Sequence, residues 1–134
     1  MNTQPRSVYE QLGDTGFQQL VAAFYRRVAV DPVIGSFYTP HDLSAAERRL
    51  RLFLIQYFGG PGAYSQERGH PRLRMRHQPF RIGEAERAAW LTAMLAAMNE
   101  VNIPEPSYSV MRDYFESGAA FMMNVRDPNV PSMP

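Results

Sequence analysis

At 134 residues and 45% hydrophobic side chains, the chain is long enough to bury one core and too short for two ordinary domains, so a single domain over 1–134 is expected. Fourteen Lys+Arg against thirteen Asp+Glu leave a formal charge of +1, which argues against a dedicated nucleic-acid binder and makes any basic patch local. Cysteine is absent, excluding disulfides and thiolate metal sites and fitting a cytoplasmic protein; no run approaches the roughly 18–20 apolar residues of a membrane-spanning helix, and "MNTQPRSVYEQLG" lacks a secretory core.

A short helix is expected around residues 8–12, ahead of Gly13-Asp14. The first long stripe follows as Phe17, Leu20, Val21, Phe24, Tyr25 and Val28, apolar at three- and four-residue steps, and stops before Asp31-Pro32. The second is Leu50, Phe53, Leu54, Tyr57 and Phe58, introduced by Ser44-Ala45-Ala46-Glu47 in the form of a capping box and closed by Gly59-Gly60-Pro61. The third runs Trp90, Leu91, Met94, Leu95, Met98 and Val101, and the fourth Met111, Tyr114, Phe115, Gly118, Phe121, Met122 and Val125. No stretch shows sustained period-two alternation, so the fold class is all-α. Residues 127–134 carry prolines and read as a frayed tail.

The connection between the second and third stripes, residues 59–81, is far longer than the roughly two to eight residues usual between helices. It carries Tyr64, Leu73, Met75 and Phe80, apolar anchors a solvated linker does not need. If residues 71–77 form a short helix opened by Pro71, Leu73 and His77 share a face, with His70 a further turn back and Arg72, Arg74 and Arg76 around the flanks. His77 then admits two readings. It is either a histidine bonded to a nearby carbonyl or a metal ligand, and one histidine without an HxxxH or HxxE partner falls far short of the roughly four ligands of a structural zinc site. A porphyrin changes that count, because it supplies the equatorial nitrogens and asks the protein for one axial histidine, an apolar slot and cations for its propionates.

Taken together, "FYRRVAVDPVIGSFY", "AERRLRLFLIQYFGGP", "YSQERGHPRLRMRHQPFRI" and "AERAAWL" resemble a truncated haemoglobin of the second group, over approximately residues 6–126. The most specific part is the run at residues 59–81 with a tryptophan thirteen residues after His77. The resemblance implies a 2-over-2 globin fold, four main helices around haem b, with a long proximal loop and a short proximal helix carrying His77 as the iron ligand. The glycine pair usual before the proximal region is present as Gly59-Gly60; the pair usual at the first helix turn is reduced to Gly13, with Gly16 three residues on.

The resemblance also allocates the distal pocket. Ala46 stands where a classical globin has its distal histidine, so hydrogen bonds to a bound ligand are expected from Trp90, Tyr25 and Tyr38. Leu50 lies over the distal face, with Phe53 and Leu54 filling the crevice behind it. Each of the stripe residues is equally explained as core packing, whereas Trp90 carries an indole N–H that needs a partner when buried. Arg49, Arg74 and Arg76, with His70 and Tyr64, form the set expected to meet the propionates, and each arginine alone is equally explained as a solvated charge. The ligands implied are O2, CO, NO or peroxide, with a reductase as a further partner and a monomer or homodimer as the assembly. Three functions remain open: reversible oxygen binding, haem redox chemistry of the peroxidase or nitric oxide dioxygenase kind, and, from another class, a helical module that touches nucleic acid or a partner through Arg72, Arg74 and Arg76.

Overall fold

In the computed structural model, residues 7–35, 42–68 and 83–121 are described, and their regular structure is entirely helical. α1 spans Val8–Val28, α2 Leu43–Tyr57, α3 Ala63–Arg68, α4 Glu84–Glu100 and α5 Ser107–Phe121. α1 is the central element: it packs on α2 and α4, and more lightly on α5, while α4 packs on α5 and α2 on α3. No helix among the described residues is long and apolar enough to cross a membrane.

α1 begins where Ser7 accepts the Glu10 N–H at 3.1 Å, a side-chain cap that satisfies one of the donors left over at a helix start. Its expected break is real. Gly13 adopts φ +69°, ψ 176° inside the helix, so residues before it form a separate short turn, as the sequence suggests. The two glycines there divide the work. Gly13 supplies a left-handed φ with open space around it, whereas a Cβ on Gly16 would meet the Leu12 side chain at 2.9 Å. The Tyr9 hydroxyl donates to Asp14 at 2.8 Å across the kink. Beyond it Phe17, Leu20, Val21, Phe24 and Val28 are wholly buried, the stripe the spacing predicts. Past the helix end, Asp31 fixes the following turn by accepting the N–H groups of Val33 and Ile34 at 2.7 and 3.0 Å.

α2 departs from expectation at its start. Asp42 already has helical backbone and its carbonyl accepts the Ala46 N–H at 2.8 Å, so Ser44 lies inside the helix and cannot cap it with Glu47. At the other end the Gly59-Gly60 pair acts as read. Gly59 takes φ +103° just past the helix, Gly60 N–H donates to the Ile55 carbonyl at 2.8 Å, and a Cβ on Gly60 would lie 2.7 Å from the Tyr9 ring. The Phe58 carbonyl accepts the Tyr9 N–H at 3.0 Å, stitching this turn to α1.

α4 starts with Glu84 paired to Arg87 one turn on, and ends with Glu100 paired to Arg26 and, at 2.8 Å, to Arg27. The two Glu100 pairs link the last turn of α1 to that of α4. Gln11 ties the opening of α1 to that of α5: its amide donates to the Glu105 carbonyl at 3.1 Å, and its oxygen accepts from the backbone and hydroxyl of Ser107. The core therefore runs through α1, with Met94 and Met98 from α4, Met111 and Phe115 from α5, and Phe53 and Leu54 from α2 closing around it.

Candidate functional site

The described members of the predicted site come from α1, α2, α3 and α4, and all but Arg49 join one apolar cluster. On α2, Ala46, Phe53 and Leu54 are buried, with Leu50 half-buried against them. Their spacing along the helix places them on adjoining turns, which is how one amphipathic element supplies a continuous apolar wall. From α3, Tyr64 is buried at 4% exposure and meets the Phe53 ring edge-on at 5.4 Å. Arg49 is half-buried on the same helix as the wall.

The polar aromatic groups converge on Phe24. Tyr25 is buried on α1 and its ring meets Phe24 at 5.0 Å and 75°. Trp90, in the second turn of α4, meets the same Phe24 at 5.2 Å and 61°, and is held from another side by Phe115 of α5 at 5.7 Å and 62°. Edge-to-face contacts of this kind fix ring orientation as well as burying area. Trp90 is thus locked by rings from two other helices. Its stripe neighbours Met94 and Leu91 also belong to this cluster, but Phe24 and Phe115 are the ring contacts that clamp it. In sequence both appear only as stripe positions; their meeting at Trp90 depends on helix packing that spacing does not encode.

Tyr38, His70, Leu73, Arg74, Arg76, His77 and Phe80 lie outside the described residues, as do Arg72 and His41, the third histidine of the chain. The part that is described suits a large planar apolar group. Among the described residues no charged side chain is buried, and the buried Ser107 is engaged with Gln11 at the α1–α5 junction. What remains in this cluster is hydrocarbon and aromatic surface, with the phenols of Tyr25 and Tyr64 and the indole of Trp90 as polar groups. An indole only donates, and a phenol donates readily, so this set favours an electron-rich ligand inside a dry slot.

An all-α core wrapped on a central kinked helix, with phenol and indole side chains and no buried charge among the described residues, fits a protein of the globin class. The bacterial-like globin family matches residues 7–124. Group 2 truncated hemoglobin YjbI of Bacillus subtilis (strain 168) is 40% identical over 116 residues, covering 87% of each chain. The crystal structure of hemoglobin from the thermophilic phototrophic bacterium Chloroflexus aurantiacus is 52% identical with a TM-score of 0.87, covering 90% of this chain and all of that one. The truncated oxygen-avid haemoglobin from Bacillus subtilis is 39% identical with a TM-score of 0.84, over 89% of this chain and all of that one. The chain belongs to the bacterial-like globin family and, within it, to the group II truncated haemoglobins with the 2-on-2 fold. It is a haem-binding globin, which decides against the nucleic-acid module among the readings left open by the sequence.

Proposed function

We propose that this single globin domain binds haem b between the α2 wall and the segment carrying His77, and takes up oxygen reversibly on the side of Trp90, Tyr25 and Tyr38. His77 is the proximal ligand in this reading, and Leu73 and Phe80 complete the slot on its side. When bound, the haem supplies an iron with one coordination position left for O2, CO or NO. Phe53 and Leu54 exclude water from the slot, and Ala46 leaves room where a larger side chain would stand. Trp90 holds its N–H, and Tyr25 its hydroxyl, for a partly negative ligand atom. Arg49, Arg74, Arg76, His70 and Tyr64 meet the propionates, with the cationic members providing the charge. A cytoplasmic location and exchange with a reductase belong to the same reading.

The observation that carries the proposal is the placement of Tyr25 and Trp90 on one buried ring, Phe24, beside an uncharged wall. Phenylalanine at both positions would pack as well, whereas a phenol and an indole can each also donate a hydrogen bond to a ligand. Support also comes from the truncated haemoglobin of Bacillus subtilis described as oxygen-avid, to which this chain is similar. The test is an absorption spectrum of the purified ferrous protein as oxygen is added and removed. A haem spectrum that cycles with oxygen supports the reading; a colourless protein, or a haem that oxidises without a reversible oxygen form, overturns it.

A further inference from the structure

The aromatic rings do not stop at the pocket. Trp90 meets Phe115 at 5.7 Å, Phe115 meets Tyr114 at 5.6 Å, and Tyr114 stacks on Tyr57 at 4.1 Å with 32° between the planes. Tyr57 is the last residue of α2 and is 54% exposed. Oxygen binding uses neither tyrosine, and burial gives no reason for a phenol at an exposed helix end.

We propose that Tyr114 and Tyr57 form a surface exit for one-electron oxidation: the oxidising equivalent passes from Trp90 across the Phe115 ring to the stacked tyrosines, and a small phenolic reductant is oxidised at Tyr57. This rests on the haem-globin reading, because hydrogen peroxide reacting in the haem pocket is the source of the oxidising equivalents. The balance closes with that oxidant. One peroxide accepts two electrons and two protons, its O–O bond breaks, and two waters leave. Each electron is drawn in turn from Tyr57, whose O–H bond breaks as the proton passes to water, leaving a neutral phenoxyl radical. A phenol from solution then gives one hydrogen atom to the Tyr57 oxygen and departs as its own radical, so two phenols are oxidised per peroxide reduced.

The geometry sets the direction. Burial pushes the Tyr114 phenol up to about 12 and keeps it from water, whereas Tyr57 is exposed and its hydroxyl has water to receive the proton that oxidation releases. The other approaches to Tyr57 among the described residues, from Phe58 at 5.0 Å and Phe53 at 6.0 Å, have wider ring separations than the 4.1 Å between the two tyrosines. Among the described residues Tyr9 is a competing end, reached from Tyr57 across Phe58 and Phe17 at 5.0, 6.1 and 6.3 Å, so two phenylalanine rings intervene where Phe115 alone separates Trp90 from Tyr114.

The experiment treats the ferric haem-loaded protein with hydrogen peroxide and a nitrone spin trap, and locates the adduct by peptide mass spectrometry. The wild type is expected to carry it on Tyr57. Tyr114→Phe keeps the ring and removes the oxidisable hydroxyl; it should lose the Tyr57 adduct while the peroxide-induced change in the haem spectrum persists. Tyr57→Phe should lose the adduct and slow peroxide-driven oxidation of guaiacol, a small phenol. A Tyr57 adduct undiminished in Tyr114→Phe, or an adduct placed on Tyr9 instead, overturns the proposal. A wild type without any peroxide-dependent spectral change overturns the haem reading with it, whereas a normal spectral change with Tyr57 unlabelled overturns the exit alone.

Discussion

Replacing Trp90 with phenylalanine removes one N–H donor while leaving an aromatic ring between Phe24 and Phe115, at the positions now 5.2 and 5.7 Å from their centroids. Two effects compete. The smaller ring gives up part of a half-buried surface, a loss on the order of 1 kcal/mol that acts on the fold as a whole. The missing donor acts on the ligand, because oxygen in the pocket carries partial negative charge on its outer atom and a preorganised N–H in a dry slot stabilises that charge. A hydrogen bond to a charged group contributes about 1.5–3 kcal/mol. At 1.4 kcal/mol per factor of ten, Trp90→Phe should speed oxygen dissociation roughly 10- to 150-fold. Carbon monoxide, which develops less charge, separates the two effects: a packing defect changes both ligands alike, and donor loss changes oxygen more. Tyr25 meets the same Phe24 ring, so the Trp90 and Tyr25 substitutions should be non-additive. Stopped-flow oxygen displacement on both proteins is the assay. A rate within about twofold of wild type, under roughly 0.4 kcal/mol, refutes the donor role and leaves Trp90 as a packed core residue.

Gly13→Ala should destabilise the fold by roughly 1–2 kcal/mol through the left-handed φ of +69° alone, since a Cβ there meets nothing within 4 Å; chemical denaturation should show it without a change in ligand spectra. Glu100 is held below its ordinary 4.5 by hydrogen bonding to Arg27 and the charges of both arginines, so the folded chain binds fewer protons there than the unfolded one. Its contribution is therefore present above that ordinary value and fades as pH falls through the lowered one: the stability gap between wild type and Glu100→Gln should narrow in acid and shrink with added salt. Replacing Arg74 and Arg76 with glutamine should speed haem loss to an acceptor protein with little change in the visible spectrum; an unchanged rate places both arginines in solvent.

The helices were readable because each buries one face: the wholly buried Phe17, Leu20, Val21, Phe24 and Val28 recur at the spacing of a single helical stripe. Gly13 was readable as a break because a helix of L-residues tolerates a positive φ poorly. Ser44 misled, since the pattern Ser-x-x-Glu marks a helix start only when the chain enters there, and the Asp42 carbonyl is already in the helical ladder. α3 was hidden inside the long connection because "AYSQER" has one strong apolar anchor, Tyr64, and one turn of helix shows no period. Trp90, Tyr25 and Tyr38 are proposed as distal donors from residue type and resemblance, whereas the clamp on Trp90 joins residues from three helices and exists only in the packed core. The proximal side, with His70 and His77, lies outside the described residues, so its assignment rests on the sequence pattern and the family.

The central claim is that His77 holds the haem, and chemical rescue of its removal tests it most directly. Resonance Raman of the ferrous protein should show an iron–imidazole stretch in the wild type, lose it in His77→Ala, and regain it when free imidazole is added. His70→Ala and His41→Ala should keep it. A His77→Ala protein that retains the stretch without added imidazole, or a His70→Ala protein that loses it, contradicts the assignment.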